Sequence, residues 1–306
     1  MKASKIIYIS LILVCTFPFI DTSLALLLGI IMAQMVAHPF PQTSKKLTHN
    51  LLQTSVVGLG FGMNALHALE VGKQGLWFTV FSIVSTLSVG LLMGKLLKVE
   101  KNTSYLISTG TAICGGSAIA AVSPIIKPNE KQISTALGTV FALNSIALFL
   151  FPWIGHQLKL TQHQFGVWAA IAIHDTSSVV GAASKYGAEA LQTATTIKLE
   201  RALWIIPVAL ISAFLFKSQS KKIKLPYFIL LFVLAMLVNT FIPAIQPAST
   251  YIVMLSKVGL KITLFLIGSS LTRELISTVG VKPLIQGTLL WLFISVLSLS
   301  FIIAAL

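Results

Sequence analysis

The 306-residue chain is 56% hydrophobic and only 10% charged, with a mean hydropathy of +0.90. A soluble domain carries about a quarter charged residues, so this composition excludes disordered, collagen-like and disulfide-scaffold chains and argues against a water-soluble cytosolic enzyme. The net charge of +14 does not mark nucleic-acid binding, because the basic residues stand in short clusters between apolar runs rather than among aromatics on a soluble face.

The chain therefore reads as an all-α polytopic membrane protein. Runs of about 20 apolar residues cross roughly 30 Å of hydrocarbon, and eleven candidates follow one another near 5–20, 22–38, 50–70, 75–97, 105–125, 133–156, 162–183, 190–216, 225–245, 251–272 and 284–306. The first, behind Lys2 and Lys5, resembles a signal peptide, but Val14 before Cys15 is a poor lipoprotein cleavage residue and no small-x-small site follows. It is expected to stay as an uncleaved span, and a hairpin formed by the two short first runs would make the count ten. No connection is long enough for a soluble catalytic domain, so residues 1–306 are expected to form a single integral membrane transporter domain. Cys15 and Cys114 both fall inside apolar runs, which favours neither disulfide nor zinc chemistry.

Loop charges set the expected orientation. With the amino terminus cytoplasmic, 14 of the 22 basic residues lie inside, among them Lys45, Lys46, Lys95, Lys98, Lys101, Lys217, Lys221, Lys222, Lys224 and Arg273; only Lys73, Lys127, Lys131 and Lys185 lie outside. Lys198, Arg201, Lys257 and Lys261 lie in or at the ends of apolar runs.

Two internal similarities stand out. Gly58-Leu-Gly-Phe-Gly-Met-Asn64 and Leu264-Phe-Leu-Ile-Gly-Ser-Ser270 end spans of opposite direction, as an inverted repeat would. Residues 112–119 and 172–179 align with Ser117 and Ser177 in register, but on parallel spans.

Residues that carry chemistry are few. Asn64 and the Ser269-Ser270 pair end spans, where they serve as caps or as contacts to a midplane ligand. The fifth span holds Cys114-Gly115-Gly116-Ser117. Adjacent glycines weaken a helix there, and a break leaves N–H groups and a positive dipole end at Gly115, Gly116 and Ser117, a natural anion site. Close packing through small residues is the bland alternative. The seventh span holds His174-Asp175-Thr176-Ser177-Ser178. A charge at bilayer depth costs about 2.5–3.5 kcal/mol, so Asp175 is expected to face a cavity or a partner, or to cap a helix that starts beside it. His174 is either a proton carrier or a quiet hydrogen-bonding residue. Lys198 and Arg201 are three apart on one helix face, with Glu200 pointing elsewhere. Their expected partners are Asp175, an anionic substrate or water; the alternative is an interfacial half-turn leading into Trp204 and Pro207.

No phosphate-binding loop, H-E-x-x-H or G-x-S-x-G motif occurs, so the chain is expected not to be an enzyme and to need neither metal nor cofactor. The glycine-rich 58–64 segment, Ala112–Ala121, His174–Gly181 and Ile197–Arg201 have the order and spacing of a known group: over nearly its whole length the chain resembles the YeiH-like family of bacterial membrane proteins, described as sulfate exporters. The resemblance implies a secondary transporter of the inner membrane, built from inverted repeats with discontinuous helices. Family members commonly have Ser-Gln where this chain has Ser177-Ser178.

The combined expectation is an exporter of a small anion, sulfate or a related oxyanion first, coupled to protons or sodium. Gly115, Gly116, Ser117, Ser177, Lys198, Arg201 and Asn64 would bind substrate, and Asp175 with His174 the coupling ion. Expected partners are membrane lipid, with no nucleic acid, and a homodimer is compatible. A sodium-proton antiporter without an anion site, a channel and a non-transporting membrane partner protein are the alternatives.

Overall fold

The computed structural model describes residues 2–20, 22–35, 39–216, 227–272 and 279–305. Fourteen α-helices and one 3-10 turn account for them, with no strand among the described residues. They are α1 (Lys2–Val14), α2 (Thr22–Met35), α3 (Pro41–Gly60), α4 (Ala65–Leu96), α5 (Lys101–Ala112), α6 (Gly116–Ile126), α7 (Glu130–Gln157), α8 (Gln162–Ala172), α9 (Thr176–Tyr186), α10 (Ala188–Leu203), α11 (Ile205–Leu215), α12 (Tyr227–Phe241), α13 (Gln246–Ser270) and α14 (Val281–Ala305). Among the described residues, four helical stretches are long and apolar enough to cross a membrane, Leu76–Leu96, Glu130–Gln157, Pro243–Ser270 and Val281–Ala304. The protein is thus an all-α membrane protein. Large apolar side chains such as Trp77 and Phe214 are more than four-fifths exposed, which water would penalise and lipid does not.

Three of the expected spans are helix pairs, the fifth and seventh at the breaks expected from their glycine and His-Asp segments and the eighth at a place that was not expected. The fifth is α5 and α6, broken at 113–115; the seventh is α8 and α9, broken at 173–175; the eighth divides at Trp204 into α10 and α11. Pro207 explains the last break, since its ring clashes with the carbonyl four residues back and it has no N–H to give. The third run was expected at 50–70, but α3 begins at Pro41 and ends at Gly60, and α4 starts at Ala65. Proline at the first helical position favours the early start, while Asn64 Oδ1 accepts from Leu66 N–H at 2.9 Å and restarts the chain as α4. The basic residues Lys217, Lys221, Lys222, Lys224 and Arg273, which weigh in the expected orientation, lie outside the described residues.

The helices form two compact units, residues 1–70 with 226–273, and residues 71–225 with 274–306. In the first, α13 packs on α2 and α3, and α12 on α3. The α2–α13 contact brings backbone against backbone. A Cβ on Gly29 would collide with the carbonyl of Phe265, and one on Gly268 with the carbonyl of Leu26. Backbone atoms cannot swing aside as a side chain can. Gly268→Ala is therefore expected to push the helices apart and cost about 1–3 kcal/mol, the penalty of overpacking, read as a lower unfolding temperature of the purified protein. Tyr8, Cys15, Ile20, Ala25, Met32, Phe265 and Leu266 form the core beside this crossing. Lys261 donates to the carbonyl of Phe17 at 2.8 Å.

In the second unit α5, α6 and α7 enclose Tyr105, Leu106, Ile107, Ile119, Val122 and Val140. α7 and α8 each begin with a capping box, Asn129 with Gln132 and Thr161 with Gln164. Gln286 of α14 donates to Gly90 O at 2.9 Å and Ser104 Oγ at 2.8 Å, tying α14 to α4 and α5.

Candidate functional site

The two interruptions of the second unit meet. Gly115 takes φ +62° and ψ −125°, backbone that side-chain-bearing residues rarely adopt. A Cβ there would stand 3.4 Å from both Cα and Cβ of Asp175 and 3.3 Å from Val140. Gly115→Ala is expected to strain the backbone by about 1–3 kcal/mol and to shift this junction, a loss that thermal unfolding would report.

Four helix ends come together around the breaks, and three of them are met by a side chain of opposite sign. At the amino end of α9, Asp175 Oδ2 accepts from the N–H groups of Ser177 at 3.1 Å and Ser178 at 3.3 Å, and from the Ser177 hydroxyl. At the carboxyl end of α8, Lys198 Nζ donates to the carbonyls of Ala170 at 3.1 Å and Ile173 at 2.8 Å. At the carboxyl end of α5, Arg201 donates from one guanidinium nitrogen to Ala112 O at 2.5 Å and from another to Ser82 Oγ at 2.6 Å. A carboxylate at an amide end and cations at carbonyl ends is what the helix dipole favours. The fourth end is different. The amino end of α6 has no side-chain cap, Gly116 is half-buried and Ser117 is exposed.

Two expectations change here. Lys198 and Arg201 are each fully buried, so they are not an interfacial half-turn. Nor do they take Asp175 as their hydrogen-bond partner: their donors go to carbonyls and a hydroxyl, and the Asp175 carboxylate is held by N–H groups and Ser177.

α7 and α14 supply support that the sequence reading did not single out. Asn144 Oδ1 accepts from His174 N–H at 3.0 Å, and Trp291 Nε1 donates to Ala172 O at 3.1 Å. A lone amide within the apolar run 133–156 was a readable signal; Trp291 offered none. Asn144→Leu leaves the buried His174 N–H without an acceptor and is expected to cost about 1–3 kcal/mol, again measurable by thermal unfolding. The His174 imidazole is fully buried, and neither ring nitrogen has a partner among the described residues.

The junction thus gathers Gly115, His174, Asp175, Ser177, Lys198 and Arg201, with Gly116 and Ser117 opening α6. Asn64 belongs to the other unit, where it is exposed and caps α4. Ser269 and Ser270 donate to carbonyls of their own helix.

The family model described as Conserved hypothetical protein 698 matches residues 6–287. Relatives named UPF0324 membrane protein include one from Bacteroides thetaiotaomicron, 51% identical over 98% of this chain and 96% of that protein. One from Bdellovibrio bacteriovorus is 49% identical over 96% and 92%, and one from Porphyromonas gingivalis is 53% identical over 91% and 86%. No solved structure matches the chain at a significant level. With the resemblance carried by its glycine-rich and His-Asp segments, this match makes the chain a member of the UPF0324 family of membrane proteins.

Proposed function

We propose that the chain is a secondary active transporter of the bacterial inner membrane that exports a small anion, sulfate or a related oxyanion first. The observation that carries this reading is the unequal pair of helix amino ends at the junction. Asp175 fills the one on α9, while the amides at Gly116 and Ser117 on α6 have no capping side chain and suit an oxyanion. Lys198 and Arg201 bring two buried cations to the junction, offset by Asp175 and by the buried Glu200 carboxyl next to Arg201. In this reading the two cations act by field and by holding the breaks, not as ligands.

Asp175, with the unpartnered His174 imidazole beside it, is assigned the coupling proton or sodium ion. The amino terminus is assigned to the cytoplasm from the distribution of basic loops. The like ends of α3 and α13 are the sequence support for an inverted repeat, on which alternating access would depend.

Labelled sulfate movement in proteoliposomes tests the reading. Uphill movement driven by an imposed pH or sodium gradient is the expected result. Movement that only follows sulfate's own gradient would make the protein a channel, and sodium-proton exchange with no sulfate movement would make it an antiporter.

A further inference from the structure

The first unit holds an open cavity of about 510 Å³ lined by Phe61, Gly62, Asn239 and one face of α13. That face presents Gln246, Ser249, Thr250, Val253 and Lys257, spaced three and four apart so that they form one stripe. From Gln246 to Lys257 the stripe descends about 16 Å at 1.5 Å per residue, half the thickness of the hydrocarbon. Lys257 lies midway along the apolar stretch Pro243–Ser270 and is exposed on the unit's surface. The next lysine, Lys261, is tied to the carbonyl of Phe17; Lys257 makes no hydrogen bond among the described residues. An ammonium at that depth is costly against lipid and is tolerated where it meets water or a counter-charge. None of the nine lining residues is acidic.

We infer that this cavity is an aqueous oxyanion site, with Lys257 as its cation and Ser249, Thr250 and Gln246 as the polar wall leading to it. The occupant is a free oxyanion rather than a lipid phosphate, since Lys257 sits at mid-depth, far from headgroups. Only the oxyanion class rests on the transport reading above; a wet cationic pocket does not.

The test uses Val253→Cys, one turn from Lys257, in zwitterionic lipid vesicles probed with a membrane-impermeant thiol reagent. Cys15 and Cys114 are buried, so the unaltered protein sets the background. The variant is expected to react, and sulfate to slow the reaction severalfold. That protection should vanish with Lys257→Gln and persist with Lys257→Arg. No reaction in a monodisperse, folded variant would overturn the aqueous cavity; equal rates with and without sulfate, or protection that survives Lys257→Gln, would overturn the anion site. Protection without sulfate transport would leave this site standing and remove the transport reading alone. Protection already present with anionic lipid and no sulfate would transfer the site to a headgroup and overturn the free-ion assignment.

Discussion

Asp175→Asn is expected to leave the protein folded while reducing gradient-driven anion flux to background, and Asp175→Ala to lose stability as well. The separation follows from the two jobs of one side chain. Asp175 Oδ2 accepts the Ser177 and Ser178 amides at the start of α9. Asparagine offers a carbonyl oxygen at the same place and caps helices about as well as aspartate. It cannot carry a proton between pH 4 and 9 or balance a sodium ion. Alanine removes the cap too, at about 0.5–2 kcal/mol. Flux in proteoliposomes and thermal unfolding, measured on both variants, separate coupling from capping. Unchanged gradient dependence in Asp175→Asn would remove Asp175 from the coupling step.

Arg201→Lys is expected to cost about 1.5–3 kcal/mol, the worth of one hydrogen bond from a charged donor, and to lower flux without weakening anion affinity. The exchange preserves the charge, but the more strongly hydrated ammonium costs more to bury than a guanidinium, and the geometry changes as well. The guanidinium fork reaches Ala112 O and Ser82 Oγ together, joining the end of α5 to α4, and a single ammonium satisfies one of them. Truncation to alanine is more severe, because it empties the volume of one of the largest fully buried side chains. If Arg201 were instead a direct anion ligand, lysine would keep the fold's stability and change the anion dissociation constant. Unfolding temperature and sulfate affinity, read on the same preparation, distinguish the two.

The sequence was informative where a rule of membrane chemistry is broken locally. Gly115-Gly116 inside an apolar run and Asp175 inside another marked both breaks, because helical backbone and lipid tolerate neither quietly. The partners of Lys198 and Arg201 were not legible. A lone sequence shows that a buried cation must be neutralised, and a carboxylate is the obvious candidate. Helix carbonyl ends serve equally well, but they exist only once the breaks are folded against one another. Trp291 was hidden for a related reason, its contact being with a backbone carbonyl 119 residues away; Asn144 was legible as a lone amide, but its partner, 30 residues on, was not. The end of α3 was misplaced because apolarity continues through Phe61 and Met63, whereas Asn64 capping, not hydropathy, decides where α4 begins.

The central claim is that an oxyanion binds at the amino end of α6 beside Asp175. Anomalous diffraction from crystals grown with selenate, a heavier analogue of sulfate, tests it most directly. A peak within hydrogen-bond distance of the Gly116 and Ser117 amides is the predicted result. A saturated crystal with selenate bound elsewhere, Lys257 included, and none at α6 would contradict it.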